Sequence, residues 1–198
     1  MSYEFVTSLA LFAFVSSITP GPNNLMLMAS GANYGIQRTI PHLLGVSLGF
    51  VFMALLLGTG LINLFEQFPV TYDILKVFAV IYLLYLAWKI ANASTGPTLE
   101  AMGKPFTFLQ AALFQWVNPK VWAMALTTIS VYTPDRSMQY VLYVSVIFGA
   151  VNLPCVAAWA TLGQQMARLL RNPRQLRLFN RIMALLLIVS LYPVLVNS

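Results

Sequence analysis

Charge is what this chain is short of. Asp, Glu, Lys and Arg make up 8% of its 198 residues, against about a quarter in an ordinary soluble domain. So few charges cannot cover a surface that faces water, so the exterior must face something else. Cysteine and histidine occur once each, as Cys155 and His42. A single cysteine excludes an internal disulfide framework, a CxxC metal site and a dithiol relay, which needs two thiols. No P-loop or other nucleotide-binding signature is present, so any work the protein does must draw on a gradient. No cofactor and no metal site is expected. The pI near 9.7 would suit a nucleic-acid binder. The positive charge is instead concentrated in residues 168–181, between two apolar segments, where it reads as membrane topology. Nucleic acid is therefore not an expected partner.

Long apolar runs are what the chain has. Residues 5–37 and 43–65 contain no charged side chain. About 20 such residues cross the roughly 30 Å hydrocarbon layer as a helix. Spans are expected at 5–29, 42–65, 70–91, 107–129, 138–165 and 179–196. Helices satisfy their own backbone hydrogen bonds in lipid, and the runs are continuous where a barrel would need short alternating segments. The N-terminus does not read as a cleavable signal. Glu4 stands where a basic stretch would be needed, and the apolar run leads into Thr19-Pro20-Gly21-Pro22. The expected fold class is all-α integral membrane, with six transmembrane helices in a single domain over 1–198.

Lys and Arg are unevenly shared between the two sides. The connections near 30–41, 89–106 and 166–181 carry Arg38, Lys89, Lys104, Arg168, Arg171, Arg174, Arg177 and Arg181. The other side, with both termini, carries only Lys76 and Arg136. Eight against two puts the first side in the cytoplasm and both termini outside it. The arginines of 168–181 alternate with Leu169, Leu170, Leu176 and Leu178 around Pro173. This pattern reads as an amphipathic segment on anionic membrane lipid.

An internal repeat is expected, with halves of about 1–98 and 99–198. Pro20 and Pro119 lie 99 residues apart, each deep in the first span of its half. Three spans per half force the second half to insert upside down, which gives inverted-topology repeats. The recurrence of Ala10-Leu11-Phe12 as Ala112-Leu113-Phe114 adds little, because this composition produces it by chance.

Two interruptions carry the chemistry. Thr19, Pro20, Gly21, Pro22, Asn23 and Asn24 fall inside the first apolar run, where two prolines and a glycine cannot continue a helix. The chain after Pro22 can restart as a half-helix whose amides and positive dipole end face the break. Asn118, Pro119 and Lys120 repeat this logic in the fourth span, with Asn118 as N-cap and Pro119 as first residue. Helices 1 and 4 are thus expected to be broken. Two such termini brought together would form a site for a small anion such as a carboxylate. Lys120 is the charged side chain placed deepest in a span, and charges there are usually functional. The plainer alternatives are proline kinks and a lysine that snorkels to the interface.

Other features read more simply. Asn152, in Asn152-Leu153-Pro154, marks a kink with a polar contact to the path. Gly31 with Gly35, and Gly45 with Gly49, permit close helix packing. Tyr82, Tyr85 and Trp88 beside Lys89 suit an interfacial belt. His42 stands at a span boundary and reads as an interfacial histidine. Gly45-Val46-Ser47-Leu48-Gly49 matches G-x-S-x-G, the serine nucleophile elbow, but that motif needs a strand-to-helix turn. His42 also lies roughly 140° around the helix from Ser47. An intramembrane serine hydrolase is therefore the weakest reading, and a passive channel or a structural membrane protein remain as alternatives to a carrier.

At the two interruptions the sequence resembles the lysine exporter (LysE/RhtB) superfamily of amino-acid efflux proteins. Its Thr-Pro-Gly-Pro-Asn pattern stands here as Thr19 to Asn23, and its Asn-Pro-Lys pattern as Asn118 to Lys120. The stretches Tyr82 to Lys89 and Gly31 to Gly49 are similar as well. Many members carry a Gly-Asp pair in the second span, where this chain has Gly49-Phe50. The missing carboxylate disfavours a cationic substrate. Lys104-Pro105-Phe106 and Phe114 to Asn118 look like the neutral-amino-acid branch similar to the cysteine/O-acetylserine exporter. The resemblance implies a secondary transporter in the bacterial inner membrane, exporting small neutral amino acids or derivatives. Thr19 to Asn24, Asn118 to Lys120 and Asn152 would contact the substrate. The coupling ion is not readable, a proton being one candidate, and homo-oligomerisation is left open.

Overall fold

The computed structural model describes residues 2–61, 63, 67–68, 70–93, 104–133, 137–170 and 172–192. Arg136, Arg171 and the last residues of the sixth expected span lie outside them. The described secondary structure is helical: α1 Tyr3–Ile18, α2 Pro22–Tyr34, α3 Ile36–Leu56, α4 Val70–Ala91, α5 Phe108–Phe114, α6 Pro119–Tyr132, α7 Met138–Leu169 and α8 Pro173–Val189. A π-turn, Leu57–Leu61, follows α3, and a 3-10 turn, Gln115–Val117, follows α5. Ile36–Leu61, Asp73–Ala91 and Met138–Leu169 are each long and apolar enough to cross a membrane. The pair α1 and α2, bent by 58° at a short break, passes as a fourth span.

Local sequence sets the helix ends. Ser2, Thr107, Asn118, Ser137 and Asn172 each accept a backbone N–H from the first turn that follows, so one otherwise orphaned donor is satisfied. Pro22, Pro119 and Pro173 each take the start of a helix, where the missing N–H costs nothing. Pro173 thus opens α8, after the break that separates it from the end of α7 at Leu169. The second span begins at Ile36, six residues before the expected start. Pro41 is accommodated inside α3.

The exterior is apolar, and polar side chains are gathered within an otherwise apolar interior, unlike in a soluble protein. Leu11, Phe14, Leu48, Phe52, Phe78, Ile81 and Leu185 are exposed, while Ser17, Asn24, Thr39, Ser47, Gln115, Asn118, Asn152 and Asn180 are buried. A lipid-facing surface requires this arrangement, because unpaired polar groups are expensive in hydrocarbon. The paired contacts give the helix directions. Phe5 lies by Tyr140, Phe12 by Phe148 and Ser17 by Asn152, so α1 and α7 run the same way. Ser47 donates to the Gly149 carbonyl while Gly58 meets Val141, so α3 opposes α7. Ser8 meets Tyr132 and Thr19 meets Lys120, so α6 opposes α1.

Small residues let the inner helices touch backbone to backbone. A Cβ on Gly31 would lie 1.9 Å from the Ala160 carbonyl oxygen, and one on Gly163 would lie 2.0 Å from that of Met28. Gly45 and Gly49 approach Phe108 and Ala112 in the same way. Gly35 instead ends α2 with φ 77°, a left-handed conformation that glycine adopts without penalty.

Candidate functional site

The first break falls where the prolines require it. α1 ends at Ile18, Thr19 and Gly21 are extended, and α2 restarts at Pro22. The second break is a single residue, Asn118, between the 3-10 turn and α6. Its side-chain oxygen accepts the Lys120 backbone N–H at 3.2 Å, and its carbonyl accepts from Val121 and Trp122.

The two breaks meet through Lys120. Its ammonium donates to the Thr19 carbonyl at 2.7 Å, the Thr19 hydroxyl at 2.9 Å and the Pro20 carbonyl at 3.3 Å. These carbonyls lie just past the C-terminal end of α1, so the charge sits near the negative end of the helix dipole, where a cation is favoured. Gly21 makes the room. A Cβ there would come within 2.6 Å of the lysine Cδ, while its extended backbone is open to any residue.

Asparagines complete the junction. Asn24 donates to the carbonyls of Ser17 and Thr19, both at 2.8 Å. Asn23 and Gln115 exchange amide hydrogen bonds at 2.8 and 3.3 Å, and Gln115 also donates to the Ala111 carbonyl. Asn152 donates to the Ser17 hydroxyl at 3.0 Å. Its side-chain amide oxygen, Oδ1, is buried without a partner among the described residues. Trp159 donates its indole N–H to the Ile18 carbonyl. The free carbonyls of the first break are thus taken up by side chains from α2, α6 and α7.

Two cavities flank this junction. A small polar one, of about 20 Å³, is lined by Ser17, Asn23, Asn24, Asn118, Lys120 and Asn152 among others. Its size suits a water-sized group, which needs about 10–15 Å³ by this measure. A much larger one, of about 710 Å³, is lined by Pro20, Gly21, Pro22, Pro119 and Lys120, by Leu75, Lys76 and Ala79 of α4, and by Trp122, Ala123 and Leu126 of α6. Gly21 and Lys120 line both. Of the ten residues singled out in the sequence, nine therefore line one cavity or the other, and the tenth, Thr19, holds Lys120. Lys120 departs from the expectation in one respect: its ammonium already rests on Thr19 and Pro20 of the first break.

Sequence reasoning missed Gln115 and Ser17. Gln115 is a fully buried amide in an apolar run three residues before Asn118, which was the available signal. Two other expectations change. His42 is 2% exposed and packs among helices, so it is not a solvent-facing interfacial residue. Ser47 donates to the Gly149 carbonyl at 3.0 Å within regular α3, which leaves no nucleophile elbow.

Apolar spans around a buried polar junction of two broken helices define a multi-pass membrane protein. The chain belongs to the LysE type translocator family, which matches residues 14–191. It is a translocator and not an enzyme. It is similar to the cysteine/O-acetylserine efflux protein of Escherichia coli O139:H28 (strain E24377A / ETEC), 31% identical over 95% of this chain and 96% of that one. The protein of the same description from Escherichia coli (strain K12) is 30% identical over the same shares. That of Shigella flexneri is 31% identical over 89% of this chain and 90% of its own. No solved structure gives a significant match.

Proposed function

We propose that this chain exports a small neutral amino acid or derivative, of the cysteine or O-acetylserine type, by alternating access in the bacterial inner membrane. The observation that carries the reading is the convergence of both helix breaks on one polar cavity beside Lys120. The first amides of α2 open on the break region, while those of α6 are taken up by Asn118. A substrate carboxylate would bind there under the positive potential of Lys120, with Asn23, Asn24, Asn118 and Asn152 contacting its polar groups. The relatives described as cysteine/O-acetylserine efflux proteins support the substrate class.

The packing supports six spans in two inverted repeats, about 1–98 and 99–198. In this reading α1 with α2, α3 and α4 are the first three spans, and α5 with α6, α7 and α8 the last three. Exchanging the halves maps the packing of α3 on α5 onto that of α7 on α1, and pairs α4 with α8 and α3 with α7. Two contacts break the rule, the first being that α2 packs far more closely on α7 than its counterpart α6 does on α3. In the second, α2 reaches α8, where Asn33 and Asn180 exchange buried amide hydrogen bonds at 2.7 and 2.9 Å. The equivalent helices, α6 and α4, face each other across the large cavity. One end of the path is thus closed and the other open, which is what a rocking carrier needs. With both termini outside, the open end is the outer one. Arg174 and Arg177, exposed at the start of α8, would then meet anionic cytoplasmic lipid.

An amino-acid tolerance screen on cells overproducing the protein tests the reading. Growth in otherwise inhibitory O-acetylserine or cysteine, with the compound appearing in the medium, is expected. Unchanged tolerance to every small neutral amino acid, with the protein present in the membrane, would overturn it.

A further inference from the structure

We propose that the chain has a second binding site, at the end of α2 away from the breaks, where a cavity around His42 takes a small carboxylate-bearing molecule. The cavity, of about 50 Å³, lies between α2, α3 and α4 and is lined by His42, Ser30, Asn33, Lys89, Lys104 and Phe106 among others. That exceeds the roughly 10–15 Å³ one water requires. His42 is 2% exposed, and neither ring nitrogen has a hydrogen-bond partner among the described residues. The neighbouring polar groups are already engaged. Ser30 pairs with Thr39 at 3.0 Å, and Asn33 with Asn180. The imidazole of His42, which lines the cavity, keeps one N–H to give and one nitrogen to accept.

The surrounding charge is of one sign. Lys89 and Lys104 line the cavity. The Lys89 ammonium lies 5.6 Å from the Phe106 ring centre, and that ring lies 5.2 Å from the imidazole. Arg38, one turn before His42 on α3, packs over Tyr34 and keeps a buried guanidinium nitrogen without a partner among the described residues. Glu4 and Asp73 are the acidic residues among those described, and neither lines the cavity. Two lysines lining the cavity beside an imidazole, with no carboxylate lining it among the described residues, call for an anion. A carboxylate meets this need, because it takes the imidazole N–H and the lysine charge together. Ser30 to Tyr34 lie about 12–18 Å along α2 from Pro22, at 1.5 Å per residue. This site and the large cavity therefore stand on opposite sides of the breaks. The assignment of the transported amino acid as occupant rests on the proposed function; the preference for a carboxylate does not.

His42 is the only histidine, so the full chain purified on a non-histidine tag and labelled with 15N-histidine reports one imidazole. In nanodiscs, O-acetylserine and acetate should each shift its ring nitrogens saturably, whereas O-acetylserine methyl ester, which lacks the carboxylate, should not. The double variant Lys89→Gln/Lys104→Gln should weaken both responses at least tenfold, and Asn118→Ala should leave them in place. Absent or non-saturating shifts, or shifts indifferent to the two lysines, would overturn the site. Tolerance in the cell screen alongside a silent His42 would sink this site while leaving export standing. Saturable shifts without any tolerance would do the reverse.

Discussion

The ammonium of Lys120 rests on the carbonyl oxygen of Thr19, 101 residues earlier in the chain, at 2.7 Å. That one contact joins the two helix breaks. Replacing the lysine by methionine removes the charge and three hydrogen bonds, but Asn24 still serves the Thr19 carbonyl. Stability should therefore fall only modestly, by about 1–2 kcal/mol, while efflux is lost. Thermal unfolding of the purified variant and export from cells measure the two separately.

Gly21 gives a cleaner separation. Its backbone is extended, so alanine fits the conformation, but the new Cβ would collide with the flexible Lys120 side chain. Gly21→Ala should leave the melting temperature nearly unchanged, displace the ammonium from Thr19 and reduce export at least tenfold. Wild-type export by this variant would show that the position of the ammonium is immaterial.

Gly31 and Gly163 behave differently, because each faces a backbone carbonyl that cannot swing aside. Gly31→Leu and Gly163→Leu should force α2 and α7 apart, costing several kcal/mol as severe overpacking does. The readout is loss of folded protein from detergent extracts, not merely loss of transport.

Gln115 tests the junction from the other side. Gln115→Leu keeps the volume roughly but leaves the Asn23 amide without its partner. Interhelical hydrogen bonds in membranes are worth about 0.6 kcal/mol on average and rarely above about 1.7. A small loss of stability is expected, with a clear loss of apparent substrate affinity in transport assays. Gln115→Asn, which is too short to reach, should resemble the leucine variant.

The sequence was most legible where local chemistry decides. Pro22, Asn118 and Pro119 took the helix-start positions expected of them, because capping and the missing proline N–H act within a few residues. The partners of Lys120, Asn23, Asn24 and Asn152 were not legible. They lie 92, 101 and 135 residues away, or answer to carbonyls freed only when α1 ends, and only the tertiary arrangement brings them together. His42 was misplaced for a related reason. Thr39, Pro41 and His42 look like a polar boundary in sequence, yet α3 runs through them and neighbouring helices bury Thr39 and His42.

Counter-exchange in reconstituted vesicles is the most direct test of the claim that the joined breaks bind the substrate. Vesicles loaded with unlabelled O-acetylserine should take up the labelled compound saturably when they contain the wild-type chain. Asn118→Ala and Lys120→Ala, reconstituted in equal amounts and in folded form, should not. Exchange by both variants at the wild-type rate would contradict the claim.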